Sequence, residues 1–387
     1  MPMTPTARQA SVLARFHRAY WLFGIILKKD PQGFRLGWVR LISLHAIFPA
    51  LALLAGYVDD TTRLRPAGRG VFEHYGFHAL FISAPVLVLL TWRVIGTLAR
   101  LISEPLPALS PSAATGLSSL QHELQDVVLC RVPRGKQLLL LFRLVGVFAV
   151  VANADSTRHP VDVYGQDVFD SSGHAVGYLA GRIFLSYYWI YLLPLVLYLA
   201  AASIAVAAKI AAYIDALPDY DVRCFASDRC GGFKELGRLM TLVVYLWVPI
   251  VFVIIALKET HANFYGTLRL SFFLCAIIPS QLYLPFLRLH RVLSRLKERK
   301  LAALERFLVR NEKAIDIKDD TRGGDSSGSS LHERRALPYL KLLAGDSVYR
   351  HTAEMTTWPY IRSDALRWVT PFVPLAVSLV FKRLGWS

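Results

Sequence analysis

An all-α fold, a polytopic transmembrane helical bundle of about seven spans with a helical cytoplasmic extension, is what this 387-residue sequence predicts. Three observations point there. Hydrophobic residues make up 54% of the chain and charged residues only 19%, against the usual quarter. The mean hydropathy is +0.39, and apolar residues fall in runs approaching the roughly twenty that cross a hydrocarbon layer of about 30 Å. The charges collect between those runs. Forty-four Lys and Arg against 28 Asp and Glu give +16 at pH 7. In that placement they fit topology and anionic lipid headgroups, and nucleic acid is set aside as a partner.

Residues 1–38 read as a cytoplasmic N-terminal segment. From Val12 to Lys29 the apolar residues Leu13, Phe16, Tyr20, Phe23 and Leu27 recur at about helical spacing, with Arg15 and Arg18 early and Lys28 and Lys29 at the end. No small-residue cleavage site follows, so an amphipathic helix on the inner membrane surface is expected rather than a signal peptide. Residues 39–287 read as a six-span membrane bundle. Uninterrupted apolar length puts spans at about Val39–Val58, Phe77–Ala99, Gln137–Asn153, Ile183–Ala208, Leu239–Leu257 and Leu268–Leu287. The third is short and contains Arg143, which makes it the weakest. A last span at about Leu366–Leu384 falls within 366–387.

Loop charge tests that order. The segment up to Trp38 carries six basic residues and one acid, and the stretch from Arg288 to Arg367, leading from span six into span seven, carries seventeen basic residues. The alternate loops carry three arginines, two arginines and Lys258 alone. This alternation is what an inside N-terminus predicts. Lys382 and Arg383 at the C-terminus oppose it; six spans would accommodate them but break the pattern elsewhere. Tyr57, Tyr187, Tyr188, Trp189, Tyr191 and Trp368 fall near span ends, where amphipathic rings suit the headgroup level, although packing between helices would explain some of them equally. Prolines occur in six spans, as Pro49, Pro85, Pro194, Pro249, Pro279 and the Pro371/Pro374 pair. Each removes a donor and tends to kink its helix, as a cavity or hinge requires and as membrane helices commonly tolerate.

Residues 288–365 read as a cytoplasmic extension. Leu289, Leu293, Leu296, Leu304, Phe307 and Leu308 lie along one stripe, among nine basic residues from Arg288 to Lys313. A basic amphipathic helix is expected there, suited to anionic lipid, to a partner helix or to copies of the same chain in a homo-oligomer. The Gly/Ser-rich run from Asp319 to Ser330 is expected to be a flexible linker, with a second helix over Pro338–Met355.

Chemical motifs are sparse. Cys130, Cys224, Cys230 and Cys275 are too few for a disulfide framework and lack zinc spacing. His74 and His78, four apart, could share a helix face and grip a metal, but Gly76 sits between them and no third ligand is evident. Polar residues at the outer edge of span two are the simpler reading, so no metal, cofactor or catalytic residue is expected. Asp59 and Asp60 join Asp155, Asp162, Asp167 and Asp170 in making the outer face acidic, as at a cation pore mouth or in a solvated loop. Arg143 and Gln281 are the polar groups inside spans that call for partners. There is no phosphate-binding loop, no G-x-S-x-G elbow and no H-E-x-x-H.

Asp228-Arg229-Cys230-Gly231-Gly232-Phe233-Lys234-Glu235-Leu236-Gly237 resembles a segment of form H-P-D-x-x-G-G-L-x-x-L-G found in a group of bacterial multi-pass membrane proteins of uncharacterised function. Thr357-Trp358-Pro359 resembles the T-W-P that precedes their final span. Here Ala226-Ser227 stand in place of His-Pro, and Phe233 in place of the leucine. The resemblance, mainly beyond residue 220, implies a cell-membrane protein, the inner membrane if bacterial, and imports no activity. From the residues themselves, Gly231-Gly232 suit a tight turn before a helix that Asp228 could cap. The layout also resembles that of insect-type chemoreceptor channels, whose T-Y-x5-Q-F signature is absent. The function favoured at this level is an ion or small-solute channel or transporter. The alternatives are a lipid-modifying membrane enzyme and a sensor or scaffold acting through the cytoplasmic helices.

Overall fold

A computed structural model describes residues 7–30, 33–58, 68–69, 75–104, 106, 109–156, 166–167, 175–218, 233–259, 287, 290–310, 343–350 and 352–353. The architecture is all-α with two minor strand pairs. In chain order the elements are α1 (Ala7–Ala19), α2 (Trp21–Ile26), β1 (Leu27–Asp30), β2 (Gly33–Leu36), α3 (Trp38–Val58), β3 (Gly68–Arg69), α4 (Tyr75–Ser103), α5 (Pro111–Val128), α6 (Pro133–Ser156), β4 (Gln166–Asp167) and α7 (Ala175–Ser186). A π-helical turn (Tyr187–Leu192), α8 (Leu193–Asp215) and α9 (Lys234–Glu259) follow. Two further helices cover 290–310 (α10) and 343–350 (α11).

Among the described residues four helices are long and apolar enough to cross a membrane: Trp38–Val58, His78–Ser103, Arg182–Asp215 and Lys234–Val253. They support a multi-pass membrane protein. They correspond to the first, second, fourth and fifth expected spans. The third expected span lies within α6. The sixth expected span, apart from Leu287, and the seventh lie outside the described residues, so seven spans are not shown.

The antiparallel order of the bundle follows from its ends. β3 pairs with β4, Gly68 opposite Gln166 and Arg69 opposite Asp167, which brings the α3–α4 and α6–α7 connections to one end. At the other end Gln121 of α5 donates to the carbonyls of Leu101 and Glu104 at 2.9 and 2.8 Å, satisfying the open end of α4. There too Arg100 of α4 meets Glu235 in the first turn of α9 at 3.3 Å, and Tyr213 of α8 donates to the Ala113 carbonyl at 2.7 Å. α4 and α9 pack along each other at the centre, burying Leu80, Leu87, Val88, Leu239, Met240 and Val243. α3 lies at the periphery: 28% of its span is buried, against 72% for α9. Its outward side chains Ile42, Leu53 and Leu54 are exposed, as are Leu140, Leu144 and Phe148 of α6. Such faces would associate or aggregate in water and are at ease in hydrocarbon.

The N-terminal segment departs from the sequence reading. One amphipathic helix from Val12 to Lys29 was expected on the membrane surface; two short helices and a hairpin form instead. The chain bends at Tyr20, whose backbone is extended (φ −125°, ψ 105°), and Leu27–Asp30 pairs with Gly33–Leu36. The reason lies in the apolar pattern. Val12, Leu13, Phe16, Tyr20, Leu22, Phe23, Ile26 and Leu27 would spread over about half the circumference of a single helix, wider than one surface stripe, and with the chain bent at Tyr20 all of them are buried. Arg40, at the start of α3, donates to the Leu27 carbonyl at 3.1 Å and ties the hairpin to the first span.

α5 has no counterpart in the sequence reading. Ser110 caps it by accepting from the Ala113 N–H at 3.2 Å, with Pro111 opening the helix. Leu117, Leu124 and Val128 bury one face, and Cys130 ends it with a left-handed φ of 56°. α10 begins packed, with Val292, Leu293 and Leu296 buried and Arg295 bonded to Asp215 at 3.1 Å. α11 lies beside it: Lys297 donates to the Ala353 carbonyl at 2.6 Å, and a Cβ on Gly345 would meet Phe307 and Leu308.

Candidate functional site

The fourth span is interrupted where its sequence reads Tyr187-Tyr188-Trp189-Ile190-Tyr191-Leu192-Leu193-Pro194. In an α-helix Pro194 would have to donate to the Ile190 carbonyl, and it has no N–H. The chain widens into a π turn over Tyr187–Leu192, and the Leu193 N–H donates to the Tyr188 carbonyl, five residues back. That shift takes the Leu193 donor from the Trp189 carbonyl, and the residue five beyond Trp189 is Pro194 itself. The Trp189 carbonyl instead faces the backbone of α6 at Gly146, where even a methyl group would overlap it. A close backbone approach through a small residue is how membrane helices meet where a side chain would hold them apart.

The widened turn projects tyrosines into the bundle. On α3, His45 Nδ1 lies 2.8 Å from the Leu41 carbonyl. A carbonyl only accepts, so Nδ1 carries the proton; Nε2 lies 3.1 Å from the Tyr187 hydroxyl and, in the neutral ring, accepts from it. On α4, Ser83 Oγ donates to the Leu80 carbonyl of its own helix at 3.0 Å and lies 3.4 Å from the Tyr188 hydroxyl, with both residues buried. Tyr191, one turn on, accepts from the Leu22 N–H at 3.4 Å. Aromatic rings enclose the group: Phe48 against Tyr187 at 4.9 Å, Phe48 against Phe184 at 4.7 Å, and Phe81 against Phe184 at 4.8 Å.

Three spans therefore contribute polar side chains to one level. Elsewhere the hydroxyls of Thr91, Thr97, Ser103, Ser203 and Thr241 return to carbonyls four residues back in their own helices, the undemanding arrangement for such groups. Each of the four spans also carries a proline, Pro49, Pro85, Pro194 and Pro249, whose missing N–H weakens the backbone bonding of its helix.

The residues singled out from sequence are mostly elsewhere. Tyr187, Tyr188 and Tyr191 pack between helices, while Tyr57 is 79% exposed at the end of α3. His78 sits at the edge of the aromatic cluster, 6.5 Å from Phe81. Its companion His74 lies outside the described residues, as do Asp59, Asp60, Asp228, Gly231, Gly232, Gln281, Trp358 and Pro359. Among the described residues no three potential metal ligands converge. Gly237 is buried in the first turn of α9 and donates to the Phe233 carbonyl at 3.2 Å. Phe233 is itself fully buried, so the described part of the glycine-pair segment anchors the start of a span. Arg143 is exposed on α6 among apolar neighbours. Its charge opposes the upward shift of the Tyr20 hydroxyl, which burial, first of all, holds above its ordinary value.

His45 and Ser83 were missed from sequence. The available signal was an ionisable ring inside an apolar run, Leu41 to Ile47, the kind of residue that marks function in a membrane span. The π turn had a signal too: a span of 34 residues is longer than a bilayer needs, and a proline stands near its middle. No protein-family model, no curated protein and no solved structure matches this chain.

Proposed function

We propose that the protein is a membrane channel or transporter for an ion or small polar solute, with the His45–Tyr187 level as the place where the moving species meets the protein. The single observation that carries this reading is the π turn beside Pro194, which turns a tyrosine onto a histidine of another span inside an apolar bundle. Polar pairs at that depth are costly to keep unless they serve a pathway, and interrupted spans are where transporters place their sites. The prolines of the four spans supply bending points. In this reading the N-terminus, α5, α10 and α11 face the cytoplasm, following the excess of Lys and Arg there. Copies of the chain associate through α10 and α11, where Phe307, Val309 and Leu343 stand exposed. The resemblance to bacterial multi-pass proteins agrees with a cell-membrane location.

Purified protein in liposomes, assayed against a panel of protons, alkali cations, halides and small neutral solutes, tests this. Wild type is expected to pass at least one of them. Tyr187→Phe and His45→Leu are expected to reduce that flux by about tenfold, a change of about 1.4 kcal/mol in the barrier, while the protein still inserts. No flux for any member of the panel, or unchanged flux in both variants, overturns the reading.

A further inference from the structure

The outward face of α6 carries a stripe of exposed residues: Lys136, Leu140, Arg143, Leu144, Val147 and Val151. Basic groups occupy its foot, at the α5 end, and apolar groups continue upward. Lys136 and Arg143 are seven residues apart, two helical turns on one face, about 10 Å along the axis. Two long side chains reaching toward each other close that gap. Leu140 and Leu144 beside the guanidinium are 56% exposed each, and Phe148 is 73% exposed, so Arg143 stands in a surface built for hydrocarbon. No carboxylate or carbonyl among the described residues bonds to it. A guanidinium there is costly unless something anionic meets it. Arg131 and Arg134, also exposed at the foot of the helix, add to the positive field.

We propose that this stripe is a binding site for an anionic phospholipid, its phosphodiester clamped between Arg143 and Lys136 and one acyl chain lying along Leu144, Val147 and Val151. Arginine pairs with phosphate through two parallel bonds, and the apolar continuation fits a lipid tail where a free anion has nothing to gain. The proposal rests on the bilayer placement of α6 and is independent of conduction.

Native mass spectrometry of the full chain, released from micelles doped with phosphatidylglycerol or phosphatidylcholine, tests it. Wild type is expected to retain phosphatidylglycerol and not phosphatidylcholine. Arg143→Gln is expected to bind the anionic lipid about tenfold more weakly, the loss of one charge-assisted bidentate pair. Arg143→Lys should keep part of the binding, and Arg69→Gln, in β3 at the other end of the bundle, should keep all of it. Inorganic phosphate alone should neither bind nor compete. Equal retention of the two lipids by wild type overturns the proposal even if the glutamine variant does not fold. So does competition by inorganic phosphate, which would make the site an anion site, or a dimer lost on Arg143→Gln, which would assign the stripe to a second copy.

Discussion

At the scale of single residues, Gly146 decides whether α6 can lie against the π turn. A methyl group there would collide with the Trp189 carbonyl, and backbone cannot move aside as a flexible side chain can. Gly146→Ala is expected to destabilise the folded protein by about 1–3 kcal/mol, the usual cost of overpacking. Gly96→Ala serves as the control, because a Cβ at Gly96 meets nothing within 4 Å. Thermal unfolding in detergent should separate the two; equal midpoints would mean that α6 and the fourth span do not meet in this way. Neither glycine is distinguishable in the sequence. Both stand in apolar helical runs, and only the position of a neighbouring carbonyl makes one indispensable. His45 was legible in principle, as a polar ring in a run of hydrocarbon. Its partner was not, since pairing His45 with Tyr187 requires knowing which helices are neighbours.

At the scale of elements, the spans were the most readable part. α3, α4 and α9 extend only a few residues beyond the limits that apolar length sets, because length and hydrophobicity are what a bilayer selects. The fourth span was read as regular although Pro194 was in view; a proline predicts a disturbance but not whether it becomes a kink or a widened turn. α5 was overlooked for a different reason. Its stripe of Leu117, Leu124 and Val128 is amphipathic and too polar overall to register against a search for spans, yet Ser110-Pro111 is a standard helix start. That helix closes the end of α4 through Gln121. Gln121→Leu keeps the volume and removes two bonds to carbonyls, so it is expected to cost about 1–3 kcal/mol. Hydrogen exchange should show the loss concentrated at α5 and at the connection leaving α4. Unchanged protection there would show that the amide is not what holds α5 in place.

At the scale of the whole molecule, two kinds of surface explain the composition. A basic end gathers α5, α10 and the feet of α6 and α9, with Lys209 paired to Glu123, Arg295 to Asp215 and Arg100 to Glu235. These pairs are partly exposed and contribute little stability each; they align the helices that enter from that end. The lateral surface is apolar, with Ile42 and Leu54 on α3, Ile82 on α4, Phe148 on α6 and Leu179 on α7 all exposed. The most direct measurement of the account places single cysteines, after Cys130, Cys224, Cys230 and Cys275 are replaced by serine, and treats intact membranes with a maleimide that cannot cross them. Thr115→Cys on α5 and Gly68→Cys in β3 should react from opposite sides of the membrane. Phe148→Cys, although its position stands 73% exposed on the protein, should react from neither side. Ready labelling of Phe148→Cys, or labelling of Thr115→Cys and Gly68→Cys from one side, would contradict the account.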